Sequence, residues 1–419
     1  MSSGILLASM KLRGSFMDKI MILGASVYQV PLIKTAKRMG LYTIVSSMPG
    51  AYPGFDYADK AYYINTVDKE AILEICRKEG VNGICTSGTD VAVATIGYVN
   101  DQMGLSGISE IAADKACDKF QMKEAFAEGS VAASRYVRVT SLEEAYAAAE
   151  QIGYPVVVKC VDSSGSRGIN VIDTREEMSA AYEEAVRYSR KDYVLIESKL
   201  GGHEIGVDGM VENGELILLA PHEKFTYKFR GATMPAGHAF PYKCSDKVYD
   251  EIAKQITLAT RSLGIDNTAF NSDVFVDGDE VYIIEMGGRA GATCIPELIS
   301  IYYGFDFYEQ MINNALGRPV VMPEGDVRVP CMAKLLMSPV DGTISYIDEE
   351  KLDAIRGEGI TVRLDYGVGD SIEKMYNGTT RIGHVIAAVD DEDEFDRIKD
   401  RVYSAMFVDG RSLEELWRD

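Results

Sequence analysis

Positive charge is what this sequence has least to spare. Against 64 aspartates and glutamates stand 43 lysines and arginines, a formal net charge of −21 over 419 residues. Nucleic acid and anionic membranes both require a basic surface, so neither is an expected partner. Histidine is scarce, with four scattered residues and no metal-ligand spacing. The seven cysteines, at 76, 85, 117, 160, 244, 294 and 331, are odd in number and contain no CxxC pair. That pattern excludes a disulfide framework and a zinc site, and predicts free thiols in a reducing compartment, the cytoplasm. No apolar run approaches the length of a membrane span. Neither a P-loop Gly-Lys-Ser/Thr nor a GxGxxG dinucleotide loop is present.

What is present suits two or three domains of an ordinary soluble chain, 47% hydrophobic and 26% charged. Residues 1–16 lack a charged leading region and a convincing cleavage site, and read as an upstream extension of no structural consequence. From Met17 to residue 111, short β-branched runs alternate with helical patterns, as in Ile20–Leu23, Leu41–Val45, helix 69–78 and Gly83–Cys85. This alternation predicts a parallel, doubly wound α/β domain. The loop at Gly24 joins a strand end to a helix start, where a substrate carboxylate would be favoured; a simple tight turn explains it equally well.

The next region is expected to be α+β, over 112–324, in two parts (112–190 and 191–324), followed by a small αβ end-domain over 325–419. A helix over 112–128 carries Lys115, Lys119 and Lys123 at i, i+4 spacing, which a solvated charged face would explain. The run Pro155–Ile172 sets Lys159 at the end of a β-branched strand before a small-residue loop, Ser163-Ser164-Gly165-Ser166-Arg167-Gly168. Backbone N–H groups of such a loop approach phosphate oxygens closely, while Lys159 and Arg167 add charge. A solvated hairpin tip with a stray lysine is the competing explanation. Phe225–His238, rich in Gly, Thr and Pro, reads as a mobile loop; its His238, Lys228 and Arg230, with His222, are candidate substrate contacts.

The stretch Phe270–Arg289 reads as a β-hairpin turning at Asp277-Gly278, with Asp273 and Glu285 side by side near its open end. Neighbouring carboxylates repel, so a divalent cation between them is the natural resolution; Arg289, just beyond, would neutralise one of them instead.

Together these features resemble the ATP-grasp superfamily, in particular carboxylate–amine ligases related to the carbamoyl-phosphate synthase large chain, biotin carboxylase and the L-amino-acid ligases. The resemblance runs from Met17 over nearly the whole chain, opening with Ile-Leu-Gly-Ala-Ser. In that pattern Cys-Asp-Lys-Phe-Gln-Met-Lys supplies Lys119 as a first phosphate-binding lysine, and Val-Val-Val-Lys supplies Lys159 as the second. Ser163–Gly168 is similar to the loop over the phosphates. Leu-Ile-Glu-Ser-Lys-Leu-Gly-Gly-His-Glu resembles the adenine hinge. It implies that Glu197 and the backbone of Ser198, Lys199 and Leu200 face the base, and Glu204 the ribose. Asp273 and Glu285 take the places of the magnesium carboxylates, and Arg289 that of the arginine on the transferred phosphoryl group. One departure stands out: many members carry a further metal-binding asparagine where this chain has Gly287, a glycine that its pattern shares with the L-amino-acid ligases, leaving Asn271 or water to fill in.

The resemblance implies ATP and Mg2+, with Mn2+ as a substitute. It also implies an ADP-forming ligase that turns a carboxylate into an acyl phosphate and joins it to an amine, an amino acid among the candidates. Small-molecule substrates are the implied partners, and a homodimer is left open. A bicarbonate-activating carboxylase and a non-catalytic nucleotide-binding regulator are the competing functions. The first is disfavoured by the lack of a biotinyl-lysine motif, the second by the presence of both carboxylates and Arg289.

Overall fold

The computed structural model describes residues 17–162, 168–229, 232–322, 325, 328–376 and 380–418, without the side chains of 228, 229 and 232–234. The extension 1–16, the loop positions Ser163, Ser164, Gly165, Ser166 and Arg167, and Arg230 therefore lie outside the described residues.

The first apolar runs form a parallel sheet in the order Lys60–Tyr62, Tyr42–Ser46, Lys19–Leu23, Gly83–Cys85. Ile20 to Leu23 are fully buried because helices cover both faces, as parallel sheets require. Helix Lys69–Glu79 shows how local chemistry sets the boundaries. The Asp68 carboxylate accepts from the Ala71 N–H at its start, and Gly80 closes it in the left-handed region at φ 65°.

The single helix expected over 112–128 is two, Glu110–Cys117 and Lys119–Glu128. Asp118 leaves helical geometry between them and caps the second, accepting from the N–H groups of Phe120 and Gln121. The break turns Lys119 and Lys123 inward, so the solvated-face explanation fails for both.

An antiparallel sheet follows in the order Tyr136–Val139, Val194–Ser198, Val156–Lys159, Ile169–Ile172. Its core, with Val139, Val156, Val158, Met178 and Ile196, is separate from the rest of the molecule. The largest sheet has eight antiparallel strands: Glu280–Gly287, Thr268–Asp277, His203–Glu212, Glu215–Phe229, Ala232–Phe240, Cys331–Leu336, Gly383–Ala387, Thr361–Leu364. Phe225–His238 thus corrects the mobile-loop expectation. It forms two sheet-forming arms, whose backbone groups pair with each other and, on the outer arm, with Cys331–Leu336. The sheet also runs through the division expected at 324/325, since its last three strands come from residues 331–387. Residues beyond 325 add a core of their own around Leu336, Phe395 and Val402.

One apolar cluster joins Met21, Ile84 and Val93 of the first domain to Phe126, Ile256, Phe270 and Met286 of the region that follows it. This shared core fixes the parallel sheet against the eight-stranded one, and the cleft between them carries the candidate site. Among the described residues no helix is long and apolar enough to cross a membrane.

Gly209 lies where two central strands meet the Phe270 ring. A Cβ there would stand 2.2 Å from the Leu218 carbonyl oxygen and 2.5 Å from the Phe270 ring. Gly209→Ala is expected to lower the unfolding free energy by about 1–3 kcal/mol, the range for overpacking, in urea melts. Gly357→Ala, with nothing within 4 Å of the added carbon, serves as the control and should show no loss. Equal midpoints for the two variants would contradict this packing.

Candidate active site

The hairpin turns at Gly278-Asp279, pairing Asp277 with Glu280 and continuing through Val274 with Ile283. Unbroken, that register would set Asp273 opposite Ile284. A one-residue bulge between Asp273 and Val274 shifts it, so that Asp273 pairs with Glu285. Residues directly opposite in an antiparallel pair share a face. The bulge therefore brings the two carboxylates together on the cleft side.

Each carboxylate has recruited a lysine. Lys224 Nζ lies 2.8 Å from Asp273 Oδ1 and 2.5 Å from Glu204 Oε1. Lys119 Nζ lies 3.4 Å from Glu285 Oε2. Burial and the nearby carboxylates Glu285 and Glu204 hold the Asp273 carboxyl above its ordinary range despite Lys224, whereas Lys119 pulls Glu285 below its own. Burial would lower the Lys224 ammonium, but Asp273 and Glu204 raise it instead. Among the described residues no cluster of three or more His, Cys, Asp or Glu forms a complete cage for a metal. Two facing carboxylates are nonetheless the protein's usual share of a Mg2+ site, the remaining positions falling to phosphate oxygens and water. The donor set at Asp273 and Glu285 fits that ion.

Behind this pair lies a second charged group. Glu197 Oε2 sits 3.1 Å from Lys159 Nζ and 3.5 Å from Lys123 Nζ, and accepts from Ser134 Oγ at 2.5 Å. Burial alone would raise the Glu197 carboxyl; the two lysines and the Ser134 hydroxyl overcome it and hold it down to about 2. Lys123, fully enclosed, is lowered by burial in spite of Glu197. The Glu197 side chain therefore faces inward to the two lysines. Ser198 and Lys199 donate their N–H groups to the Arg135 and Pro155 carbonyls, and Leu200 is half-buried beyond them. Gly168, at φ 67°, accepts from the Cys160 N–H at 3.0 Å and closes the loop base.

Arg289 completes the arrangement. Its guanidinium reaches Asp90 Oδ1 at 2.6 Å and donates to Asn271 Oδ1 at 3.0 Å. Asn271 in turn donates to Asp208 Oδ2 at 2.7 Å. Asp208, wholly buried, also meets His222 Nε2 at 3.1 Å and accepts from the Gly291 N–H at 2.7 Å. Asp208 thus orients Asn271, and Asn271 orients the arginine. Gly287 matters here for its missing side chain, since a Cβ would come within 3.0 Å of Asp90 Oδ1. The place expected to hold an asparagine in many relatives is taken by the Asp90 carboxylate.

His238 is not at the cleft. It is buried under His222, ring centroids 4.7 Å apart, with Nδ1 receiving no hydrogen bond, and burial holds its imidazole neutral far below the usual range. As a substrate contact it is withdrawn. Lys224, Asp90 and Asp208 were missed by the sequence reading. Period-two alternation in Phe225-Thr-Tyr-Lys-Phe signals a strand and would have placed Lys224 on the sheet. Asp90 and Asp208 have no local signal, being joined to Arg289 only by the fold.

A cleft of about 310 Å3 opens between these groups and the first domain, lined by Lys119, Asn271, Glu285 and Arg289 on one side and Asp90, Val91 and Thr95 on the other. It therefore sets Glu285 beside Lys119 and Arg289, with Asp90 of the first domain facing them.

Residues 114–321 match the family described as carbamoyl-phosphate synthase L chain, ATP binding domain. The formate-dependent phosphoribosylglycinamide formyltransferase of Pyrococcus horikoshii is 26% identical over 315 residues, covering 72% of this chain and 71% of that protein. The structure of phosphoribosylglycinamide synthetase from Anaerococcus prevotii superposes with a TM-score of 0.78 at 26% identity, covering 94% of this chain and 99% of the other. An L-amino acid ligase from Bacillus licheniformis, 17% identical, shares the fold with a TM-score of 0.77 over 93% and 98% of the two chains.

The depressed Glu197 carboxyl makes a pH prediction. Its folded value lies near 2, below the ordinary 4.5. Its contribution to stability is thus complete above 4.5 and lost as pH falls toward 2. Urea melts across that window should show wild-type stability falling with acid. Glu197→Gln should be less stable at neutral pH, with two buried ammoniums uncompensated, and flatter between 4.5 and 2. An unchanged acid slope in the variant would show that the carboxylate does not pair with the lysines in solution.

Proposed function

We propose that this chain, an ATP-grasp ligase with a carbamoyl-phosphate-synthase-type ATP-binding domain over residues 114–321, activates a small carboxylate as an acyl phosphate and joins it to an amine. The observation that carries this reading is the facing pair Asp273 and Glu285, with Lys224 bonded to the first and Lys119 to the second, while Glu285, Lys119 and Arg289 line one cleft.

A carboxylate resists attack by an amine while it keeps its charge. In the proposed reaction a carboxylate oxygen attacks the γ-phosphorus of ATP and the bond to the β-phosphate oxygen breaks, releasing ADP. The amine nitrogen then attacks the acyl carbon, inorganic phosphate leaves, and the amine loses its proton. Such transfer asks for positioning and charge neutralisation more than for a covalent nucleophile. Lys119 and Lys159 would meet the phosphate chain; what supports this is that each is held by a carboxylate partner, Glu285 and Glu197. Asp273 and Glu285 would hold Mg2+, which neutralises phosphate charge when bound. Arg289, held by Asp90 and Asn271, would stabilise the transferred phosphoryl group. Glu204, with the backbone of Ser198–Leu200, would border the nucleotide, and the segment Ser163–Gly168 would cover its phosphates. Formate in the name of the Pyrococcus relative is itself a carboxylate, and both phosphoribosylglycinamide enzymes support small-molecule substrates.

Asp273→Asn and Glu285→Gln should each abolish magnesium-dependent ADP release over a panel of carboxylates and amines while leaving circular dichroism unchanged. Normal turnover in either variant would remove the metal assignment.

Arg289→Ala should lower kcat by roughly 10²- to 10³-fold, as loss of a transition-state donor does, with much less effect on ATP affinity. With wild-type enzyme, oxygen-18 in the carboxylate should appear in released phosphate. Label found in AMP instead would overturn γ-phosphoryl activation.

A further inference from the structure

Beside the phosphoryl-transfer cleft lies a second, larger chamber of about 1070 Å3, bordered by the first domain and by Asp365, Tyr366 and Arg381 of the C-terminal region. The two spaces meet at Val91, which lines both. The ligand of this chamber would therefore reach toward Arg289 and Glu285.

The chamber's chemistry is wrong for a phosphate ester. Among its described lining residues there is one cation, Arg381, against two anions, Asp56 and Asp365. Arg381 is committed already: its Nε bonds Asp365 Oδ2 at 2.8 Å, and its guanidinium lies 4.6 Å from the Tyr28 ring centroid. The turn at Gly24 offers no anion cradle either. The Ser26 N–H and Oγ both donate to Gln29 Oε1, at 2.9 and 2.7 Å, while Gln29 Nε2 donates to the Ser87 carbonyl at 2.5 Å. A Cβ on Gly24 would stand 2.8 Å from that same Gln29 oxygen, so the space is filled by the protein's own amide. Of the two readings of this loop, substrate carboxylate or tight turn, the structure favours the turn.

The large side chains on the rest of the lining are chiefly aromatic: Tyr28, Tyr52, Phe55, Tyr63 and Tyr366. Tyr52, Phe55 and Tyr63 form an edge-to-face chain, with centroids 6.3 and 4.8 Å apart, and Tyr366 faces the chamber from the C-terminal region. Tyr63 is 60% exposed and Tyr366 36%, so their rings are open to a ligand. The Asp365 side chain is buried between Arg381 and Arg363, 2.8 and 3.7 Å away, and its charge is met by the protein itself. These aromatic faces, with the exposed Asp56 carboxylate among the lining residues, recognise an ammonium and a flat apolar group together.

We infer that this chamber binds an unphosphorylated ligand carrying an aromatic group and a primary amine, an aromatic amino acid or an arylalkylamine, as one substrate of the ligase; that last clause rests on the function proposed above. A phosphoribosyl compound, named in the relatives, is excluded from it by the same chemistry.

Calorimetric titration of the full chain with L-phenylalanine, phenethylamine and ribose 5-phosphate tests this directly, without turnover. At least one of the two aromatic amines should bind, and ribose 5-phosphate should not. Preference for phenylalanine identifies an amino acid; equal or stronger binding of phenethylamine identifies an arylalkylamine. Tyr63→Ala and Tyr366→Ala should each weaken that binding roughly tenfold, the worth of one aromatic contact. ADP binding should be unchanged in both variants, which reports an intact fold. Binding of ribose 5-phosphate, or silence of both amines, overturns the inference. ADP release measured separately keeps the two readings apart. Turnover with a phosphorylated amine sinks this chamber assignment and leaves the ligase standing. Aromatic binding without ADP release for any carboxylate does the reverse.

Discussion

Two carboxylates forced onto one face of one hairpin are the constraint around which this structure is arranged. Cross-strand neighbours stand about 5 Å apart, and at that distance two negative charges repel by about 3 kcal/mol at an effective dielectric near 20. Asp273 and Glu285 reach that position only because a bulge slips the register by one residue. The cost is offset from outside the hairpin, by Lys119 at the start of a helix and Lys224 two strands away. Those contacts tie the hairpin to both halves of the ATP-binding region. Lys224 bridges Asp273 to Glu204, so a single ammonium serves a candidate metal carboxylate and a candidate nucleotide contact at once.

Glu197 does for the lysines what they do for the hairpin. Lys123 and Lys159 are buried, and a buried ammonium without a partner loses its proton. Glu197, itself enclosed, compensates both, with Ser134 donating to the same oxygen. Its second oxygen receives no hydrogen bond in the structure. One carboxylate stands between two lysines. The internal glutamate thus holds the Lys159 side chain in place.

Where the chemistry lay within one local pattern, it was legible in the sequence. Alternation along Phe270–Met286 placed two carboxylates side by side, and the structure pairs them, although the bulge that does so left no mark in the residues. Lys159 at the end of a β-branched run fell on a strand as expected. The solvated-face explanation for Lys119 and Lys123 failed because i, i+4 spacing implies a shared exposed face only on an unbroken helix; Asp118, a strong capping residue, breaks the helix and changes that face. Phe225–His238 was misread because glycine, threonine and proline were weighed above the alternation of Phe225 and Tyr227. Those two rings pack toward Lys334 and Trp417 of the C-terminal region, contacts no local signal could announce. His238 followed that error, and its burial beneath His222 ends its candidacy.

Gly287 shows how the first domain enters the chemistry. A side chain there would collide with Asp90, and without one the Asp90 carboxylate closes to 2.6 Å from Arg289. The arginine is then held from two sides, by Asp90 of the first domain and by the Asp208–Asn271 chain of the central sheet. Asp90 sits in the same loop as Gly88, Thr89 and Val91, which border the aromatic chamber. A ligand pressing on that loop would act on the residue that positions Arg289. The link from chamber to phosphoryl group is therefore a single short segment, and replacing glycine by asparagine at 287 would disturb it first at Asp90.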